Sequence, residues 1–253
     1  MEFETLTYVI LFATGFFAGF VDSIAGGGGI IALPVLLSVG APPHLALGTN
    51  KMQSSFGSFT ASVNYIRKGL VDFKETLRGI LFTAIGALSG TIIIQLISPD
   101  LLAHIIPFLL VAIFLYTLLN PKVGASDKSH RLRPEVYYVI FGILLGFYDG
   151  FFGPGTGSFW TMSLVFFLGF NLKKATGYTK VFNFTSNVFS LGAFVIGGNV
   201  LFFVGLIMGI GQVIGATLGS HLVVAKGVSF VRTIFLIAVG ATILKLIYST
   251  YLS

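Results

Sequence analysis

No cysteine occurs in the 253 residues, which removes disulfides, thiolate metal sites and cysteine nucleophiles together. Charge is scarce. Asp, Glu, Lys and Arg make up 9% of the chain, against roughly a quarter in a soluble globular domain. The basic amino-terminal segment of a secretory signal peptide is missing too: the chain opens on the acidic MEFETLTYVI, so no such peptide is expected. His44, His104, His130 and His221 follow no HExxH or similar ligand spacing. No Ser-His-Asp or paired-carboxylate arrangement stands out either. Neither a metal, a cofactor nor an enzyme activity is therefore expected.

What is there is hydrophobic: 55% of residues are apolar, with a mean hydropathy of +0.95. Residues 80–97, 101–119 and 200–218 form continuous apolar runs. They are long enough for membrane helices and lack the alternation of barrel strands. The expected fold is an all-α polytopic membrane protein. Its net charge of +6 comes from Lys and Arg gathered in a few loops. Arg67, Lys68, Lys74 and Arg78 share one, and Lys122, Lys128, Arg131 and Arg133 another. The turns at 98–100 and 197–199 hold none. That asymmetry marks the basic side as cytoplasmic. No basic-aromatic module accompanies it, so the expected partner is the lipid bilayer and no nucleic acid.

The chain repeats itself. GFVDSIAGGGG (19–29) matches GFYDGFFGPGT (146–156), setting Asp22 on Asp149, Gly26 on Gly153 and Gly28 on Gly155 at an offset of 127. ALGTNK (46–51) matches ATGYTK (175–180), and GALSG (86–90) matches GATLG (215–219), both offset by 129. Two repeats follow, 1–125 and 126–253. Full spans are expected at 44–66, 75–97 and 101–119, then at 172–196, 200–222 and 231–248. Three crossings per half invert one half relative to the other. Each remaining segment, 5–40 and 135–169, is expected to enter and leave on one side as a re-entrant or broken hairpin with its glycines at the tip. Residues 30–39 reach only about half way through a bilayer. Both termini then lie outside. In the alternative, residues 5–25 cross fully, which would put the basic 67–78 loop outside.

Irregular backbone at such depth is tolerated where it lines a cavity. Backbone N–H groups at a helix start favour an anion, and glycine admits close approach. Gly26, Gly27, Gly28 and Gly29 at one tip, and Gly153, Gly155 and Thr156 with Ser158 at the other, are thus candidate anion-binding groups. Lys51 and Lys180 lie in from their helix ends. Each leads a polar stripe at i, i+3, i+7: Lys51, Ser54, Ser58 and Lys180, Asn183, Asn187. Asn50, Gln53 and Thr179 extend the patch. The competing reading of the lysines is snorkelling to the interface. Asp22 and Asp149 either pair with the lysines, cap the tips or carry a coupling proton. The Gly-xxx-Gly pairs 15/19, 86/90, 142/146 and 215/219 read as close helix packing.

These two glycine tips and the two G-x-x-K segments resemble the sulfite exporter TauE/SafE family of membrane permeases. The resemblance covers nearly the whole chain. It implies a plasma-membrane carrier of a prokaryote for a small sulfur-containing anion such as sulfite or an organosulfonate. By position it implies site residues at Asp22, Gly26–Gly29, Asn50 and Lys51, and at Asp149, Gly153–Gly155 and Lys180. The halves are not identical: Thr179 stands where Asn50 does, and Asn183 where Ser54 does. An anion channel with two re-entrant loops forming its pore is the alternative reading. Substrate, direction, coupling ion and homodimer formation stay open at this level.

Overall fold

The computed structural model describes residues 4–101, 108 and 131–226, with backbone alone for Ala25 and residues 223–226. The third span expected in each half, at 101–119 and 231–248, lies outside the described residues apart from Leu101 and Phe108. So do Lys122, Lys128 and the boundary between the repeats.

Eight helices are described: α1 (Thr5–Ala25), α2 (Gly28–Ser38), α3 (Pro43–Arg67), α4 (Phe73–Leu96), α5 (Pro134–Phe151), α6 (Thr156–Phe167), α7 (Leu172–Ile196) and α8 (Phe202–Lys226). Their boundaries have local causes. Pro43 and Pro134 sit at the first helical turn, where a missing N–H costs nothing. The Asp72 side chain accepts from Lys74 N, and that of Asn171 from Lys174 N, so α4 and α7 start capped. Gly26 ends α1 in the left-handed region, at φ 72°.

The two hairpins are lopsided. α1 has 21 residues and α5 has 18, whereas α2 has 11 and α6 has 12. At 1.5 Å per residue the long arms measure about 31 and 27 Å and the short arms about 16 and 18 Å. A long helix thus runs to each glycine tip, and one of about half (α2) to two thirds (α6) of its length returns from it.

Each long arm packs on a helix from the other half of the sequence. α1 lies along α8: a Cβ added at Gly15 would sit 2.2 Å from Met208 O, and one at Gly215 2.0 Å from Phe16 O. α5 lies along α4 in the same manner, with a Cβ at Gly90 2.2 Å from Phe147 O and one at Gly150 2.0 Å from Ala87 O. The Gly-xxx-Gly pairs are therefore mates across two contacts, where missing side chains let backbones touch.

Among the described residues the exterior is apolar, and the interior holds two apolar clusters and between them many polar side chains. Leu81, Ile85 and Ile92 on α4, Ile140 and Leu144 on α5, and Leu206, Ile210 and Ile214 on α8 are exposed. Inside, α3 buries Thr49, Asn50, Lys51, Gln53 and Ser58, and α7 buries Thr179, Lys180, Asn183, Ser186 and Asn187. Among the described helices, Thr5–Ile24, Phe73–Leu96 and Phe202–Leu222 are long and apolar enough to cross a membrane. α3 and α7, with 25 residues each, match them in length but carry the polar rows.

Candidate functional site

The two glycine tips meet. Gly26 of the first lies so close to Gly157 of the second that a Cβ on either would fall 2.5 Å from the other's backbone. Ser158 N donates to Gly26 O at 3.2 Å, joining the tips through main chain. At this contact α2 and α6 both begin, each behind a glycine N-cap, Gly27 and Gly155. Several of their first-turn N–H groups, which lack α-helical acceptors, are already bonded: Gly28 N to Asp22 Oδ1, Ile30 N to Gly27 O, Thr156 N to Gly153 O, and Ser158 N to Gly155 O as well as Gly26 O.

The lysines are bound across the repeats, each to the other half's aspartate. Lys51 Nζ on α3 donates to Asp149 Oδ1 on α5 at 2.6 Å, and also to the Asp149 backbone carbonyl. Lys180 Nζ on α7 donates to Asp22 Oδ2 on α1 at 3.1 Å. Lys51 is 1% exposed and Lys180 fully buried, so neither snorkels. Asp22 combines two of the roles weighed for the aspartates, whereas Asp149 takes the pairing role. Asp22 Oδ1 also accepts from Gly28 N at 3.3 Å, capping the return helix as well as pairing. Asp149 Oδ2 accepts from Ser186 Oγ. The two pairs differ in access: the Asp149 side chain is 5% exposed and that of Asp22 15%. Gly153 is needed beside the first pair. Its φ is 99°, and a Cβ there would sit 2.8 Å from Lys51 Nζ.

Between tips and pairs lies a small polar cleft with a cavity volume of about 20 Å³. Of the residues expected from sequence, Asp22, Gly26, Gly27, Gly28, Gly29, Asn50, Lys51, Ser54, Asp149, Gly153, Gly155, Thr156 and Asn183 line it. Gln53, Ser58, Ser158, Thr179 and Lys180 do not. Thr179 Oγ1 shares a 3.0 Å hydrogen bond with Thr161 Oγ1, and Lys180 sits behind Asp22. Gly157 and Asn187 also line the cleft. Asn187 was foreseeable from the Lys180 stripe; Gly157 had no counterpart signal. Ser186 escaped notice because the residue matching it at offset 129 is Gly57. Behind Asn50 the polar packing continues: Gln53 Nε2 donates to Asn50 Oδ1 at 2.8 Å and to Ser54 Oγ at 2.9 Å.

A lipid-facing exterior around a polar, charge-paired cleft with broken helices is the construction of a helical membrane transporter. Comparison with known proteins agrees. The family model for the sulfite exporter TauE/SafE family matches residues 11–246, and the chain belongs to that family. It is 46% identical to "Probable membrane transporter protein ORF9" of Sinorhizobium sp, over 98% of this chain and 94% of that protein. It is 44% identical to a "Probable membrane transporter protein" of Haemophilus influenzae, over 94% of each. With "Probable membrane transporter protein YfcA" of Escherichia coli K12 it shares 41%, over 96% of this chain and 90% of that one. No solved structure matches the chain.

Proposed function

We propose that this protein is a carrier for a small sulfur-containing oxyanion, sulfite or an organosulfonate, bound in the cleft between the two glycine tips. The observation that carries the reading is the joint placement at one cleft of both tips, both helix starts and both aspartates of the cross-repeat pairs. Glycine N–H groups and the amides of Asn50 and Asn183 are suited to oxyanion oxygens, and Lys51 lies within the same lining. The contact of Gly26 with Gly157, sealed by the Ser158–Gly26 hydrogen bond, favours a carrier over an open channel. Transport then proceeds by alternating access, the two halves rocking as inverted repeats. The swapped pairs support that symmetry, because equivalent lysines find equivalent aspartates. The protein sits in the plasma membrane, and export follows the family's description.

Asp22 and Asp149 are also the groups through which a proton gradient would couple. If they do, Asp149→Asn flattens the pH profile of transport; an unchanged profile rules out coupling at that residue. The direct test is counterflow of labelled sulfite in proteoliposomes. Saturable exchange that is lost in Lys51→Ala, at equal folded protein, supports a carrier with its site here. Flux that does not saturate supports the channel.

A further inference from the structure

We infer that Gln53 and Gln212 are positioning residues: together they fix the Asn50 carboxamide so that its NH2 group, and not its carbonyl, is offered to the anion in the cleft. The inference rests on the carrier reading above and assigns to its site two residues that lie outside the lining. Asn50 lines the cleft and is 3% exposed. An amide there presents either a donor or an acceptor, and only the donor suits an anion. Asn50 Oδ1 accepts from Gln53 Nε2 at 2.8 Å, which turns Nδ2 the other way. A Cβ added at Gly29, on the cleft wall, would lie 3.3 Å from that Nδ2. Gln53 Nε2 also donates to Ser54 Oγ at 2.9 Å, so this second lining hydroxyl serves as an acceptor and keeps its own proton to donate. Gln53 is in turn held by Gln212 on α8, whose Nε2 donates to Gln53 Oε1.

A chain of amides can run in either direction, and its far end decides which. Gln212 Oε1 lies against two glycines: a Cβ at Gly57 would fall 1.9 Å from it and one at Gly19 2.7 Å. It has no hydrogen-bond partner among the described residues. Glycine C–H groups meet a carbonyl oxygen there as weak donors, whereas an NH2 in its place would be a buried donor without an acceptor, the rarer fault. Reversing Gln212 would reverse Gln53 and, with it, Asn50. The second repeat supplies the control. At the offset of 129, Gln53 corresponds to Phe182, Gln212 to Thr83 and Asn50 to Thr179. Phe182 is fully buried, with its ring centroid 4.6 Å from that of Trp160. Thr179 stands outside the lining, bonded to Thr161. The fold thus accepts an apolar side chain at this position, and helix packing does not require two buried amides. The amide pair is present where the residue it steadies faces the cleft, and absent where that residue does not.

The experiment is counterflow of labelled sulfite in proteoliposomes, or of labelled methanesulfonate if sulfite does not exchange. Half-saturation concentration and maximal rate are measured separately for wild type, Gln53→Met, Asn50→Ala and the double variant. Gln53→Met keeps the length of the side chain and removes its donor and its acceptor. It is expected to raise the half-saturation concentration at least about fivefold, less than the full loss of a hydrogen bond to a charged group, with a smaller change in maximal rate. Asn50→Ala should raise it at least as much. Adding Gln53→Met to Asn50→Ala should then change it less than about twofold, because the residue acted through is gone. Gln212→Met should act in the same direction and also fall silent beside Asn50→Ala; it carries the test if Gln53→Met does not fold. An unchanged half-saturation in the folded glutamine variant, or effects that multiply in the double variant, would overturn the inference while leaving the carrier intact. If wild type exchanges neither anion saturably, the carrier reading itself falls, and the inference with it.

Discussion

Replacing Lys51 by methionine removes one partner of a deeply buried ion pair. The side chains of Lys51 and Asp149 are 2% and 5% exposed. Breaking a pair buried to that degree costs about 3–5 kcal/mol, because the surviving charge is stranded. At 1.4 kcal/mol per factor of ten, the unfolding equilibrium shifts by about two to three and a half orders of magnitude. Ser186, still donating to Asp149 Oδ2, keeps the loss toward the lower end. Adding Asp149→Asn removes the stranded charge and leaves an amide that Ser186 and the tip can still bond. The double variant should therefore recover at least half of the loss, a coupling energy of about 1.5 kcal/mol or more, well outside the few tenths expected of independent sites. Unfolding in mixed micelles of increasing denaturing detergent, followed by the fluorescence of Trp160, the sole tryptophan, measures all four corners of the cycle. If the two single losses simply add, the cross-repeat pairing is wrong.

Other outcomes follow from the same geometry. Lys180→Met should cost less than Lys51→Met, because Asp22 is three times more exposed than Asp149 and water can reach it; the same titration ranks the two. Gly26→Ala and Gly157→Ala should each abolish anion exchange, since each Cβ would sit 2.5 Å from the opposing tip's backbone, and Gly26 also has φ 72°. Gly192→Ala, inside α7 with nothing within 4 Å, should keep full exchange and gain about 0.5–1 kcal/mol of stability. Ligand binding should change the emission of Trp160, which lies one turn into α6 from Thr156 with its ring centroid 4.6 Å from that of Phe182; an emission unchanged by saturating substrate would place the ligand away from α6.

Much of the helix plan was legible. The span expected at 172–196 is α7 itself, and that at 44–66 differs from α3 by one residue at each end. Apolar length and proline or basic boundaries suffice for that. The unequal arms of the hairpins were less accessible, because hydropathy shows where an apolar run lies and not how deep its tip is set. The partners of the lysines were open too. A repeat puts a lysine and an aspartate in each half, and pairing within or across halves satisfies the pattern equally. Packing decides it here: α5 on α4 and α1 on α8 carry each aspartate to the opposite half. Most of the cleft lining was foreseen, since glycine tips and stripes on one helix face are periodic features. Lys180 was on the right face but lies screened by Asp22, a matter of side-chain layering that spacing does not encode.

The crossed pairs also bear on how the chain is made. Lys51 waits for a partner 98 residues further along, and Asp22 for one 158 residues further along. At about five to twenty residues per second of synthesis, about five to thirty seconds pass while the first half holds an unmatched acid and an unmatched base. α1 and α4 likewise show glycine-lined faces whose mates have not yet emerged. The first half is thus an unfinished object in the membrane, dependent on the insertion machinery or on water-filled surroundings until the second half docks. A nonsense truncation after the first repeat should be cleared by quality control, and two half-chains expressed together should protect each other from it.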